Sequence, residues 1–374
     1  MKYYIISGEA SGDLHGSNLI KELKKKDASA NIRCWGGDMM EAAGATLVKH
    51  YKELAFMGFL EVIKNLGTIL KNIKFCKADI LQYQPTALIL IDYPGFNLRI
   101  AKWAKEQGIP VIYYISPQVW AWKENRVKLI KECVDKMLVI LPFEKEFYKK
   151  WNYEVEYVGH PLVEVVEEFL NKEQGTRNIE QGSKNTIALL PGSRQQEILK
   201  KLPIMLELAK HFPDYQFVVA KAPGLDDSFY AALLAPYKNV SSVVNKTYQL
   251  LVQSKAALVT SGTATLETAL FGVPEVICYK GSAVSYQIAK RLIKIKFIGL
   301  VNLIMDKEVV KELIQDELTV KNLKHELSLL LNDEEKQQQL KTDYALLKNL
   351  LSKGGPASAN AAQSIYSFMI KLPQ

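Results

Sequence analysis

Three small residues separate a short apolar run from a helix-like segment in the second half of the chain: Ser261, Gly262 and Thr263. Backbone N–H groups are open at such a helix N-terminus, and the helix dipole favours an anion there. Glu267 lies four residues after Thr263, so both side chains share one helical face. A carboxylate one turn below a phosphate site can accept hydrogen bonds from a ribose diol. The stretch therefore predicts a site for a nucleoside diphosphate.

A second strand-to-helix turn ends in a cation, and its residues are Pro191, Gly192, Ser193 and Arg194. The planar guanidinium of arginine suits bidentate phosphate binding. Two such turns in one sheet would form a single pocket for a diphosphate. The chain has neither the G-x-x-x-x-G-K-[ST] loop of P-loop enzymes nor a D-x-D pair for a metal–nucleotide complex. We therefore expect helix termini and Arg194 to stabilise a leaving group without a metal ion or other cofactor.

A candidate general base follows a continuous apolar run in the first half of the chain. Asp92 directly follows the run Ala87–Ile91. A partly buried carboxylate at that position can have a raised pKa, and it can then accept a proton from a hydroxyl group. The competing interpretation is structural, because Asp before Pro-Gly often caps a turn or a helix. His15, one turn into an earlier helix, is a second candidate base, although a lone histidine is more often structural.

Three unusual stretches follow predicted strands in the first half of the chain, at 8–13, 92–97 and 116–122. The carboxyl ends of parallel strands lie at one edge of a sheet, where ligands bind. The candidate residues for an acceptor substrate are Glu9, Ser11, Gly12, Asp13, His15, Ser116 and Trp120. Trp120 and Trp122 belong either to a wall of this site or to the core, and the sequence leaves both alternatives open.

Strands and helices alternate in two successive series, which predicts an α/β fold with two Rossmann-like, doubly wound parallel sheets. The 374 residues suffice for two ordinary domains, and a polar run, Asn171–Asn185, lies between the series. We expect a first domain over 1–165 and a second over 166–355. After Tyr279 the pattern predicts mostly helices, including one over Lys307–Gln315.

The segment Glu53–Tyr83 carries more apolar residues than one core face requires, interleaved with lysines. Apolar residues suit the headgroup boundary of a bilayer, and lysines suit anionic lipid. The members singled out for this contact are Phe56, Phe59, Leu60, Ile63, Lys64 and Leu66. A core helix with a basic, solvated face is the alternative. The net charge of +8 fits nucleic acid, an anionic membrane or phosphorylated substrates.

Several motifs occur in a fixed order along almost the whole chain: S-G-E-A-S-G-D at 7–13, I-D-Y-P-G-F-N at 91–97, Y-I-S-P-Q-V-W-A-W at 114–122, L-P-F-E-K-E-F-Y at 141–148, L-P-G-S-R-Q-Q-E-I at 190–198, S-G-T-A-T-L-E at 261–267 and N-L-I at 302–304. Together they resemble the lipid-A-disaccharide synthases. The resemblance implies a GT-B glycosyltransferase, with two Rossmann-like domains facing a cleft and C-terminal helices, 356–374, that cross back to the first domain.

Members of that family join UDP-2,3-diacylglucosamine to 2,3-diacylglucosamine 1-phosphate (lipid X), with inversion at the anomeric carbon. The products are the β-1,6-linked lipid A disaccharide 1-phosphate and UDP. By position, Asp92 matches the family's proposed base, Arg194 its essential arginine and Glu267 the ribose-binding position of related enzymes. The N-L-I motif adds Asn302 to the expected UDP site. Gly95 stands where many members carry a second aspartate, so Asp92 is expected to act alone.

The resemblance also implies a peripheral protein on the cytoplasmic face of the inner membrane, with the basic apolar segment against lipid. It implies no nucleic-acid partner and leaves a homodimer open. One alternative is another GT-B enzyme, such as a UDP-GlcNAc 2-epimerase or a transferase with a soluble acceptor, which would not need that segment. A non-enzymatic protein that binds nucleic acid or anionic lipid through its charge would leave Arg194 and Glu267 unexplained.

Overall fold

The computed structural model describes residues 1–54, 66–175, 185–222, 224–282, 286 and 295–372. The chain forms two compact units. The first, here the first domain, combines Met1–Pro161 with Leu351–Gln374, and the second domain is Leu162–Leu350. Each domain contains one parallel sheet with helices packed on it, which confirms the predicted fold class.

The strands are β1 (Lys2–Ser7), β2 (Asn31–Gly36), β3 (Thr46–His50), β4 (Ala87–Ile91), β5 (Val111–Tyr114), β6 (Lys136–Val139), β7 (Glu156–Tyr157), β8 (Thr186–Leu190), β9 (Gln216–Lys221), β10 (Val240–Val244), β11 (Ser254–Thr260), β12 (Glu275–Tyr279) and β13 (Lys311–Ile314). The helices are α1 (Ala10–Lys26), α2 (Asp38–Ala42), α3 (Leu66–Tyr83), α4 (Pro94–Glu106), α5 (Val119–Trp122), α6 (Arg126–Cys133), α7 (Glu144–Lys149), α8 (Pro161–Gly175), α9 (Gln195–Glu207), α10 (Asp227–Leu234), α11 (Thr247–Gln253), α12 (Thr263–Leu270), α13 (Leu300–Met305), α14 (Val320–Asn332), α15 (Glu334–Ser352) and α16 (Ala357–Lys371).

The first domain has a seven-stranded sheet in the order β3-β2-β1-β4-β5-β6-β7, with every neighbouring pair parallel. The central strand β4 is buried at all five positions. That burial accounts for its continuous apolar sequence, since helices cover both faces of a parallel sheet. Side chains alternate between the two faces. Tyr4 and Leu88 belong to the core on one face, and Tyr3 and Ala87 belong to the core on the other.

The chain returns to the first domain at its end, as the resemblance implied. Helix α16 packs against α1, and its small and apolar residues Ala361, Ala362 and Ile365 are fully buried. The turn before α16 touches the loop after β7: a side chain at Gly159 would place its Cβ 2.5 Å from the Gly355 carbonyl oxygen. Gly159 also has a φ of +94°, so this close approach requires glycine.

The second domain has a six-stranded parallel sheet in the order β10-β9-β8-β11-β12-β13. The predicted helix over Lys307–Gln315 is wrong, because Lys311–Ile314 forms the edge strand β13. Val276 of β12 pairs with Lys311, and the buried residues Val310 and Leu313 pack inward. Pairing with β12 outweighed local helical preference, as tertiary context often does.

Within the described parts of the chain, no helix is both long enough and apolar enough to cross a membrane.

Candidate active site

The loops after β1, β4 and β5 lie together because these three strands are neighbours. Ser7 pairs with Ile91, and Ile91 pairs with Tyr114, so the strands end at the same level. The structure thereby brings Glu9 and Asp92 close enough for their charges to interact. This edge is where parallel sheets bind ligands.

Asp92 has a left-handed backbone conformation, with a φ of 43°. Such a conformation is costly for a residue with a side chain and persists only where its surroundings hold it. Here Asn97 Nδ2 donates to the Asp92 carbonyl oxygen at 2.7 Å, and the Tyr113 hydroxyl donates to it at 2.5 Å. Helix α4 begins at Pro94 and its N-cap residue is Tyr93, which makes no side-chain cap hydrogen bond, so Asp92 is not the N-cap of this helix. The backbone of Asp92 is thus anchored by two side chains.

Burial raises the pKa of the Asp92 carboxyl to about 7, and the nearby charge of Glu9 raises it further, while the backbone N–H of Tyr93 opposes the shift. A carboxyl group with this pKa exchanges its proton close to neutral pH. This is the range in which a general base combines an adequate ionised fraction with adequate basicity.

The glycines of the first loop permit close packing at this edge. A Cβ at Gly8 would lie 2.4 Å from the Tyr93 ring, and a Cβ at Gly12 would lie 2.8 Å from Ser7 Cβ. Ser11 is exposed, and Glu9 is partly exposed at the N-terminus of α1. Of the predicted residues in this loop, Glu9 and Ser11 therefore remain accessible to a substrate.

Asp13 and His15 serve the fold rather than the substrate. Asp13 is buried and its carboxylate accepts backbone N–H groups from the start of α2, at Gly37 (2.8 Å), Met39 (3.2 Å) and Met40 (3.0 Å). Burial lowers the pKa of His15 to about 4, and its Nδ1 atom has no hydrogen-bond partner among the residues that the structure describes. A buried imidazole with that pKa is a weak base, so the geometry favours Asp92 over His15.

Ser116 belongs to a buried network that includes a carboxylate the sequence reasoning missed. Its Oγ lies 2.6 Å from the Tyr148 hydroxyl. Glu144 Oε2 accepts the backbone N–H of Leu141 at 2.9 Å. Burial raises the pKa of Glu144 to about 7, although the backbone N–H of Leu141 and the Ser116 hydroxyl oppose the shift. The signal for Glu144 was its place at the start of α7, the helix that follows β6 at the same sheet edge. Trp120 packs edge-to-face on Phe143, with ring centroids 5.0 Å apart.

In the second domain, the turns after β8 and β11 meet because those strands are neighbours. Gly192 has a φ of +109°, and a Cβ there would lie 3.3 Å from Thr260 Cγ2. Ser193 and Arg194 are exposed, and Arg194 pairs with Glu197 at 3.1 Å. The guanidinium of Arg194 is therefore exposed at the start of α9. The sequence predicted a strand-to-helix turn at this position.

A buried lysine that the sequence reasoning missed joins the two turns. Lys201 Nζ hydrogen-bonds to the Thr260 hydroxyl and lies 3.6 Å from a carboxylate oxygen of Glu197. Burial lowers the pKa of Lys201, and Glu197 opposes that shift. A cation held beneath both turns adds to the positive potential at their surface.

The Ser-Gly-Thr turn begins α12, an eight-residue helix with no side-chain cap. Gly262 has a φ of +145°, and Gly262 and Thr263 are exposed. The Ser261 hydroxyl donates to the Ile298 carbonyl oxygen at 3.1 Å. Glu267 accepts the Tyr248 hydroxyl at 2.7 Å, and burial raises the pKa of the Glu267 carboxyl. The turn therefore leaves helix N–H groups open, with an oriented carboxylate one turn further along.

Asn302 is a correction to the predicted UDP site. Its side chain makes four hydrogen bonds inside the domain: Nδ2 donates to the Val310 carbonyl oxygen and to Glu312, and Oδ1 accepts the N–H groups of Val309 and Val310. Asn302 is fully buried, and an amide has no capacity left for a ligand after these four bonds. It supports the loop at 298–299, whose N–H groups bond to Glu312.

The predicted lipid-contact residues Phe56, Phe59, Leu60, Ile63 and Lys64 lie outside the described residues. Leu66 is the first residue of α3, and its side chain is likewise not described. In the described ranges, no group of three or more His, Cys, Asp or Glu side chains is arranged to hold a metal ion.

Solved structures with this fold include proteins described as epimerases and as glycosyltransferases. The UDP-GlcNAc 2-epimerase from Neisseria meningitidis bound to UDP-GlcNAc superposes with a TM-score of 0.68 at 15% identity, covering 100% of both chains. The calicheamicin glycosyltransferase CalG4 superposes with a TM-score of 0.64 at 15% identity, covering 100% of this chain and 99% of its own. At these identities the likeness defines the fold alone, and that fold is the GT-B class of glycosyltransferases and epimerases.

The sequence comparison is more specific. A family model described as lipid-A-disaccharide synthetase matches residues 3–366. Relatives named lipid-A-disaccharide synthase include that of Geobacter metallireducens, 41% identical over 94% of this chain and 93% of its own, and that of Syntrophus aciditrophicus, 38% identical over 96% of each. The chain belongs to the lipid-A-disaccharide synthetase family, and it is a glycosyltransferase of lipid A biosynthesis that uses a UDP-sugar donor. The epimerase alternative rests on fold alone.

Proposed function

We propose that the protein transfers 2,3-diacylglucosamine from its UDP ester to the 6-hydroxyl of lipid X, with Asp92 as the general base. The observation that carries this assignment is the anchored Asp92 backbone with a carboxyl pKa raised to about 7. Family membership supports the reaction class. The products are the β-1,6-linked disaccharide 1-phosphate and UDP.

In the proposed step Asp92 accepts the proton of the acceptor 6-hydroxyl. The oxygen attacks the anomeric carbon of the donor as the bond from that carbon to the β-phosphate oxygen of UDP breaks. A single displacement inverts the anomeric centre. Glu9 raises the basicity of Asp92 through its charge and is placed to contact the sugar, while Glu144 and Ser116 support the neighbouring loop.

The donor's UDP group is proposed to lie at the paired turns of the second domain. Its binding residues are Gly192, Ser193, Arg194, Ser261, Gly262, Thr263 and Glu267. The open N–H groups of the turns and the exposed guanidinium of Arg194 bind the diphosphate, and they stabilise the negative charge that develops on UDP as it leaves. Glu267, oriented by Tyr248, accepts hydrogen bonds from the ribose diol. Asn302 acts indirectly by holding the adjacent loop.

We also propose peripheral attachment to the cytoplasmic face of the inner membrane. Both substrates carry acyl chains, and the sequence of Phe56–Leu66 combines aromatic and aliphatic residues with Lys64. Serine substitutions at Phe59, Leu60 and Ile63 are expected to weaken binding to anionic vesicles. Sedimentation of the same preparations measures whether two copies of the protein associate.

The reaction is tested by incubating the purified protein with UDP-2,3-diacylglucosamine and lipid X and identifying products by mass spectrometry. We expect stoichiometric UDP and a disaccharide 1-phosphate, with the rate unchanged by EDTA. Formation of an epimerised nucleotide sugar instead of a disaccharide would refute the transferase assignment. Dependence of the rate on an added divalent cation would refute the metal-free mechanism.

A further inference from the structure

A groove of ≈ 380 Å³ lies between three helices of the first domain, beginning at the residue after Asp92. Tyr93 is one of its lining residues. Apolar side chains from three elements form its walls: Ile69 of α3, Leu98 of α4 and Leu129 of α6. Its volume is within the range of ligand sites, and its lining is mostly apolar, as in most such sites.

Among the described residues that line this groove there is no carboxylate, and three are cations: Arg99, Lys102 and Arg126. Arg99 and Lys102 are exposed and form no ion pair with any residue in the described ranges, whereas Lys105, further along the same helix, pairs with Asp135. Burial and the nearby charge of Arg126 both lower the pKa of Lys123, which places a further basic side chain close to Arg126. Exposed cations without a carboxylate partner, such as Arg99 and Lys102, beside an apolar groove favour a ligand that carries both an apolar chain and an anionic group.

We propose that this groove binds the acceptor substrate, with an acyl chain between the helices and its 1-phosphate on Arg99, Lys102 and Arg126. The inference rests on the proposed function, because it names the subsite for the acceptor of that reaction. Lipid X carries acyl chains, a phosphate and the hydroxyl that Asp92 deprotonates. A groove that begins beside Asp92 holds this substrate in reach of the base. A bilayer phospholipid has the first two features but no reacting hydroxyl.

The proposed binding of the 1-phosphate is tested with two acceptors, lipid X and the same diacylglucosamine without its phosphate. Wild-type protein is expected to prefer lipid X. The double variant Arg99→Ala, Lys102→Ala is expected to raise the KM for lipid X about tenfold or more, with the KM for the donor unchanged. It is also expected to lose most of the preference between the two acceptors. Arg126→Ala, a second and independent variant, is expected to act in the same direction.

The matched control is Lys128→Ala. Lys128 is exposed on α6, two residues after Arg126, and does not line the groove. Its removal subtracts the same single charge from the same helix as Arg126→Ala does, and we expect unchanged kinetics. An equal rise in lipid X KM for this control would show that general surface charge, rather than the groove, binds the phosphate, and would overturn the proposal.

The proposed binding of an acyl chain in the groove is tested with Gly95→Leu. Gly95 lines the groove, and a Cβ at this position meets no atom within 4 Å, so the larger side chain fills the groove without a clash at its base. The KM is expected to rise severalfold for a long-chain acceptor and little for a short-chain analogue. An equal effect on both acceptors would overturn the acyl assignment.

The possible outcomes distinguish a failure of the proposed function from a failure of the groove assignment alone. If wild-type protein forms no disaccharide from either acceptor, the proposed function fails and the groove assignment fails with it. If wild type forms disaccharide while Arg99→Ala, Lys102→Ala keeps the wild-type acceptor preference, only the groove assignment fails. If that variant keeps the preference but loses affinity for vesicles of anionic phospholipid, the groove binds membrane headgroups, which also overturns the proposal.

Discussion

Replacing Asp92 with Asn tests two consequences of one buried carboxyl group. Burial, together with the charge of Glu9, raises the pKa of Asp92 from 3.8 to about 7. At neutral pH such a base is ionised in about half of the molecules, and a general base contributes about 10²- to 10⁴-fold to rate. We expect Asp92→Asn to lower turnover by at least that factor. UDP should still bind, because the proposed UDP residues lie in the second domain.

The same pKa shift sets a cost in stability. Between pH 3.8 and about 7 the unfolded chain ionises Asp92 while the folded chain keeps it protonated. The folded state therefore loses stability as the pH rises through this window, and the loss is complete above it. A displacement of about 3 pH units at 1.36 kcal/mol each amounts to about 4 kcal/mol. Asparagine carries no such proton, so Asp92→Asn should exceed the wild type in stability by up to about 4 kcal/mol at pH 8 and by little at pH 4.

Urea unfolding at pH 4, 6 and 8, followed by circular dichroism, measures this difference, and Asp79→Asn is the control. Asp79 bonds to Arg33 at 2.6 Å and accepts the Tyr4 hydroxyl at 2.6 Å. Although burial alone would raise the pKa of Asp79, these partners lower it. Its contribution to stability is therefore present at neutral pH and is lost in acid, so the control should destabilise at pH 8. Near-normal turnover of Asp92→Asn refutes its role as base, and an inactive variant with no pH-dependent gain in stability refutes the burial argument.

Three other substitutions separate ligand contacts from structural ones. Arg194→Ala should weaken UDP binding about tenfold or more in calorimetric titration, because a charge-assisted phosphate contact is lost, and Lys200→Ala on the same helix should not. Equal affinities of these two variants would remove Arg194 from the UDP site. Asn302→Ala should cost about 2–4 kcal/mol in chemical unfolding, because four buried hydrogen bonds are lost together, yet leave UDP affinity of the folded protein within about twofold. A large loss of affinity without loss of stability would reinstate Asn302 as a direct contact. Gly159→Ala should lower the melting temperature, because its Cβ would lie 2.5 Å from the Gly355 carbonyl oxygen at a positive φ, and an unchanged melting temperature would contradict that packing.

Much of the candidate site was predictable because strand-to-helix turns are local in sequence. Small residues after an apolar run mark such a turn, and parallel topology then places the turns at one sheet edge. The predictions of Asp92, Arg194 and Glu267 as site residues were made in this way. The edge strand β13 was not predictable in this way. Lys311–Ile314 forms a strand because it pairs with β12, and the local sequence pattern carries no information about that pairing.

The sequence by itself determined the alternation of strands and helices before β13, the two-sheet architecture, the residues at the strand ends and the family. Only the tertiary structure decided which polar residues are free to act. Asp13 and Asn302 occupy motif positions as prominent as that of Asp92, yet backbone groups from other elements consume their hydrogen-bonding capacity. The carboxyl pKa of Asp92 likewise follows from burial and from Glu9 on another loop. Desolvation and hydrogen-bond saturation depend on neighbours that are distant in sequence, so no local pattern encodes them.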